Sequence, residues 1–368
     1  MTDDTPRFIG DQGRVGDAVG AEQQRDSGHD GYPAPGRTDH RRPSLAAEDG
    51  SPTYYDQPAI KEPVWIWSVP AYFYTGGVVA GAALIGAVAQ LVDRDGYDGV
   101  VRRCRLLAAA GTALGTAFLV HDLGRPTRFL NMLRVFRPTS AMSMGSWTLA
   151  ASSGTAAAAA TLPSLGAPRL ADAAGLAAGV LAPPLGTYTA VLVSDTAVPV
   201  WQSTRRAMPA LFGASALSSA TDALDLLDLD EHEERLTRRI GIVAKTGELA
   251  AAVTVERAAE DVHERVARPL REGLSGGLWR AAKLATATSL VLSLLPVPKR
   301  LRSLRRILSA LAGTVGALAT RFAVFHAGTA SARDPRATFE PQRERSGGAG
   351  SVAARRVGAG TETQTGSV

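Results

Sequence analysis

The chain has 368 residues, 40 Lys and Arg against 35 Asp and Glu, a net charge of +5 and a mean hydropathy of zero. A single cysteine, Cys104, excludes an internal disulfide and any cysteine-ligated iron–sulfur or zinc site built by this chain alone. Its positive charge is scattered between apolar segments, whereas a nucleic-acid binder concentrates it on one face, so nucleic acid is not an expected partner.

Residues 1–62 are rich in Asp, Arg, Gly, Pro and Gln and hold almost no apolar run. Such a segment buries too little surface to offset its ordering entropy and is expected to be a disordered tail. No apolar core follows Met1 within signal-peptide range, so no secretory signal is expected. Residues 336–368 resemble the first tail in composition and carry the same expectation.

Between the tails the chain is strongly apolar. No charge occurs from Pro63 to Val92, from Pro138 to Pro168 or from Ala173 to Ser194. A membrane-spanning helix needs about 20 mostly apolar residues, and these three runs satisfy that length. Four shorter runs are Leu106–His121, Ala207–Thr221, Leu284–Pro298 and Ile307–Thr320. Arginines and lysines at their ends can snorkel to the interface and extend each by about a turn. An eighth, Ile240–Val255, carries Lys245 and Glu248, three apart and able to neutralise each other, with Glu256 just beyond.

Small residues recur four apart at Gly77–Gly81, Gly111–Gly115, Ala141–Gly145, Gly175–Gly179 and Ala312–Gly316. In lipid, where no hydrophobic drive separates helix from tail, such spacing permits the close backbone approach that holds helices together. The fold class expected is an all-α integral membrane protein, an eight-transmembrane-helix bundle over residues 63–335 with disordered N- and C-terminal tails. It belongs in the cell membrane, in contact with lipid.

The stretch "HDLGRPTRFLNMLRVFRPTSAMSMGSW", residues 121–147, separates the second and third runs. Pro126 suits the first turn of a helix and Pro138 blocks continuation, so Pro126–Arg137 reads as a short interfacial helix. Phe129, Met132, Leu133 and Phe136 fall on one side and Arg128, Asn131, Arg134 and Arg137 on another, among lipid headgroups. Asp122 can pair with Arg125 to set the turn.

This stretch resembles the signature of the NrfD-type membrane subunits, the polysulfide-reductase membrane-anchor family. "WIWSVPAYFYTGGVVAGAAL" (65–84), "YTAVLVSDTAVPVW" (188–201) and "RFAVFHAGTASARDP" (321–335) are similar to the family's first, fourth and last helices. The resemblance covers residues 63–335 and implies an eight-helix bundle, usually without haem. It implies exchange of electrons between the membrane quinone pool, menaquinone or ubiquinone, and an iron–sulfur partner subunit that serves a molybdopterin catalytic subunit. With one cysteine in this chain, iron–sulfur clusters belong to partners.

A quinone headgroup needs a flat apolar slot and one or two donors to its carbonyl oxygens, a task that tyrosine and histidine suit. Tyr188 matches the family's quinone-contacting tyrosine. Tyr72 stands where a characterised relative has a quinone-contacting histidine, while the nearby asparagine position is Val69 here, one donor exchanged and one lost. His121, at the end of the second run, is a further ligand candidate, since its ordinary pKa lies near neutrality. Asp122, Asp195, Glu248 and Glu256 are candidates for a proton route, because ionisable groups at membrane depth are expensive. Arg125, Arg128, Arg134 and Arg137 are candidates for docking the partner. Two other readings follow from the residues: a pure anchor without a quinone site, and a transporter, which predicts broken helices at the midplane. Pro183–Pro184 interrupts the fourth run, and no matching break follows. Lys and Arg are shared too evenly among the loops to orient the chain.

Overall fold

The structure is a computed structural model and describes residues 60–345 except Asp228. The expected tail over residues 1–59, and residues 346–368, lie outside the described residues. In chain order the α-helices are α1 (Ser68–Val92), α2 (Asp98–Leu123), α3 (Pro126–Met132), α4 (Ala141–Thr161), α5 (Pro168–Ser194), α6 (Pro199–Ser203), α7 (Met208–Asp225), α8 (Glu231–Glu260), α9 (Glu264–Arg271), α10 (Gly273–Leu294), α11 (Arg302–Arg333) and α12 (Pro335–Arg345). Each of the eight apolar runs coincides with or overlaps one long helix.

Among the described residues, four stretches are long and apolar enough to cross a membrane: α1, α2, α5 and Lys299–Arg333, which contains α11. Helix α4 has no charged residue yet is not among them. Its Ala, Ser, Thr and Gly contribute little transfer free energy per residue, so absence of charge alone overstates its hydrophobicity. Helix α10 ends at Leu294, short of the run that reaches Pro298, because Pro296 drives the preceding Leu295 into an extended conformation (φ −64°, ψ 125°).

Helices α1, α2, α4 and α5 pack as one four-helix group and α7, α8, α10 and α11 as another, joined chiefly through α1 and α5 against α7. Small residues lie at these crossings. A Cβ at Gly81 would collide with the Ala216 carbonyl and Ala220 of α7, so only glycine allows α1 and α7 to approach this closely. Polar contacts stitch both ends of the bundle. At one end Arg103 of α2 meets Glu233 (2.7 Å) and Arg305 of α11 meets Glu234 (2.9 Å), joining the starts of α2, α8 and α11. At the other, Trp201 of α6 donates to the Val324 carbonyl (2.8 Å) and the Val200 N–H to Ser331 Oγ (3.2 Å), joining α6 to the end of α11.

Three local expectations change. Helix α5 runs unbroken through Pro183 and Pro184, which only leave carbonyls one turn earlier without donors. The arginine-rich segment is helical to Met132 only, so Arg128, Arg134 and Arg137 do not share one helical face. Its remainder is tied to α4 instead: the Arg137 N–H donates to Ser143 Oγ (2.9 Å), which donates to the Val135 carbonyl (3.1 Å). Residues 336–345, expected in a disordered tail, belong to α12, held by an Arg265–Glu340 ion pair and the buried Ala337.

Candidate functional site

Tyr72 and Tyr188, 116 residues apart, meet hydroxyl to hydroxyl between α1 and α5. Tyr72 is 2% exposed, its ring set beside Gly76 of its own helix and Gly115 of α2. The Tyr188 ring lies directly over Gly145 of α4, where any Cβ would overlap it. Glycine at 115 and 145 thus makes the space the two rings occupy, and the small-residue spacing of the sequence becomes a tyrosine slot.

Tyr188 also forms part of the wall of a groove of about 970 Å³ running along α5 from Pro184 to Asp195. Met144 and Thr148 of α4 face Val191 across it, and Asp195, Arg205 and Arg206 close the interfacial end. The groove is mostly apolar, with Thr148 and Thr187 also in its wall, and charged at its mouth. In a tyrosine pair one hydroxyl donates and the other accepts, which leaves the acceptor's own proton for a third oxygen. If Tyr72 donates, the Tyr188 proton is available to an oxygen in the groove, and the pairing strengthens it as a donor.

The other residues singled out from the sequence fall in separate places. His121 is exposed at the end of α2, its ring 5.6 Å from that of Trp67. Asp122 does not pair with Arg125 but accepts from the Ile66 N–H at 3.2 Å, fastening the entry to α1. Asp195 stands at the mouth of the groove, beyond the end of α5. Arg125, Arg128, Arg134 and Arg137 are all exposed on the segment between α2 and α4. Glu256 accepts from Trp279 and pairs with Lys283, both on α10. Glu248 is buried inside the second helix group.

The neighbours of Glu248 differ from those its sequence position suggests. Lys245 does not neutralise Glu248; it pairs with Asp222 of α7 at 2.7 Å, the two side chains 1% and 0% exposed. Arg321 of α11 is equally buried, lying over the Phe212 ring at 3.7 Å and donating to the Phe212 carbonyl. Asp222 and Arg321 each follow immediately on an apolar run and so read as its boundary. The available signal was the spacing Ser215, Ser218, Asp222, Asp225, a polar stripe at helical period on α7.

The family described as polysulphide reductase NrfD matches residues 57–332 of this chain. The C subunit of polysulfide reductase from Wolinella succinogenes is 27% identical over 85 residues, which are 22% of the present sequence and 27% of that protein. The aligned part therefore spans about a quarter of that relative. With most of its length matched and four helices apolar enough to cross a bilayer, the chain is a multi-pass membrane protein and belongs to the NrfD polysulphide reductase family.

Proposed function

We propose that this chain is the membrane subunit of a quinone-linked oxidoreductase complex, exchanging electrons between the quinone pool and an iron–sulfur partner that serves a molybdopterin catalytic subunit. All eight long helices cross the membrane in this reading. Four are apolar by themselves, and α8 buries Lys245 and Glu248 inside the second helix group. The domain occupies residues 63–335.

The observation that carries the reading is the Tyr72–Tyr188 pair at the wall of a mostly apolar groove. A volume of about 970 Å³ lies within the 300–1,000 Å³ of ordinary ligand sites. Tyr188 would donate to a quinone carbonyl oxygen, with Tyr72 holding its hydroxyl in place. Met144 and Val191 would flank the ring, and Asp195 at the mouth would exchange protons with water. His121 and Asp122 lie at the same end of the bundle, at the end of α2, and are assigned to the proton exit rather than to the headgroup. Arg125, Arg128, Arg134 and Arg137 present an exposed basic surface for the iron–sulfur partner.

A photoreactive azidoquinone tests this directly. After illumination, peptide mapping is expected to find the label within residues 138–148 and 184–195, and excess unlabelled quinol analogue should suppress it. Label spread over lipid-facing positions without competition would favour the pure anchor.

A further inference from the structure

The second helix group holds a file of buried polar side chains that the tyrosine groove does not use. On α8, Glu234, Thr237, Gly241, Lys245 and Glu248 follow at intervals of three and four and so share one face. At 1.5 Å per residue this face runs about 21 Å, a large part of a hydrocarbon core about 30 Å thick. Most polar members have a partner. Glu234 pairs with Arg305 at the end of the bundle (2.9 Å). Thr237 donates to Asp225 (2.7 Å), and Lys245 pairs with Asp222. At the inner end the Glu248 carboxylate, 2% exposed, faces Ser215 and Ser218 with no hydrogen bond of normal geometry.

The groups around Glu248 decide what it can bind. Lys245 is committed to Asp222, and Arg321 is held by the Phe212 carbonyl and ring. Tyr74 of α1 stands beside Arg321 and Asp222, Arg306 of α11 acts on Asp225, and Lys283 of α10 is paired with Glu256. Among these carboxyls Glu248 is the one without a hydrogen bond or ion pair; Arg321, whose Nε and Nη1 have no hydrogen-bond partner, acts on it through charge alone. Two fixed cations beside it oppose a metal ion, which would also need several oxygen ligands, whereas a proton needs one. Past Glu248 the same face continues as Ala252, Val255 and Ala259, without a polar side chain. A void of about 10 Å³, lined in part by Thr286, Thr320 and Lys283, separates Glu248 from the Lys283–Glu256 pair, space for about one water.

We propose that Glu248 is a proton-binding carboxyl inside the membrane, reached along Glu234, Thr237–Asp225 and Lys245–Asp222 from the face opposite the tyrosine groove. The site stands independently of the quinone reading.

Dicyclohexylcarbodiimide, which modifies protonated carboxyls in apolar surroundings, is the probe. In full-length protein in sealed vesicles, peptide mapping is expected to find modification at Glu248, falling at least ten-fold from pH 6 to pH 9 and absent in Glu248→Gln. With the two sides buffered separately, the modification should follow the pH on the side exposing Glu231, identified with Glu231→Cys and an impermeant maleimide. Overturning results are no modification of folded wild type, a pH-independent yield, protection by sodium but not choline chloride, or control by the pH of the opposite side. None of these touches quinol-analogue binding, so failure here and failure of the quinone site are separable.

Discussion

Lys245 reaches from α8 to Asp222 of α7 at 2.7 Å, although Glu248 lies three residues along its own helix. The pair is almost fully buried, so each charge depends on the other. Removing one partner of such a pair costs about 3–5 kcal/mol, while removing both is nearly neutral. Lys245→Met is therefore expected to lower the thermal unfolding midpoint in detergent sharply. Lys245→Met with Asp222→Asn should recover at least half of the loss. Equal losses in the single and double variants would show that the pairing is not what Lys245 contributes.

Gly145 gives a test of the slot. Its Cβ would occupy the space of the Tyr188 ring, whereas a Cβ at Gly154 on the same helix meets open space. Gly145→Ala should cost about 1–3 kcal/mol through overpacking and should weaken quinol-analogue binding. Gly154→Ala should leave binding unchanged and, as a helix-interior substitution, raise stability by up to about 1 kcal/mol. Denaturant titration and binding are measured on the same preparations.

Helix α8 starts on a capping box: Asp230 accepts from the N–H groups of His232 (2.7 Å) and Glu233 (2.8 Å), and Glu233 returns to the Asp230 N–H (3.0 Å). The backbone N–H of Glu233, with that of His232, holds the Asp230 carboxyl below the usual carboxylate range. A depressed folded pKa means that the stabilisation is fully present above the unfolded value and is lost as pH falls through the folded one. Asp230→Ala is expected to cost about 1 kcal/mol at pH 7. The gap between wild type and Asp230→Asn should narrow progressively below about pH 4. A gap independent of pH would remove the charge from the account of the cap.

The exposed arginines predict a salt-sensitive docking surface. Replacing Arg125, Arg128, Arg134 and Arg137 together by Gln changes no buried contact, so the unfolding midpoint should move little. Protein purified from its native membrane should carry partner-bound iron, measured by elemental analysis. The quadruple variant should lose it, and wild type should shed it as ionic strength rises, because exposed charge pairs are screened by salt. Retention of iron by the variant would move the docking site elsewhere.

The eight long helices were legible because apolar runs of about fifteen residues or more leave few alternatives, whatever packs against them. Tyr188 and Tyr72 were legible only through family resemblance; nothing local to either indicates that their hydroxyls meet across 116 residues. The helix expected over Pro126–Arg137 stops at Met132 because regular spacing of arginines is no guarantee of helix where Ser143 offers the backbone other hydrogen bonds. Asp222 and Arg321 escaped notice because a charge after an apolar run looks like its end. Both helices continue past it, and the partner that makes burial tolerable sits on another helix.

Quinol-analogue binding to the purified protein, followed by fluorescence quenching for wild type, Tyr188→Phe and Tyr72→Phe, bears most directly on the quinone site. The account predicts saturable binding in wild type. Tyr188→Phe, which loses one hydrogen bond worth about 1 kcal/mol, should weaken it about five-fold, and Tyr72→Phe less. Absence of saturable binding in folded wild type, or an affinity unchanged by Tyr188→Phe, would contradict it.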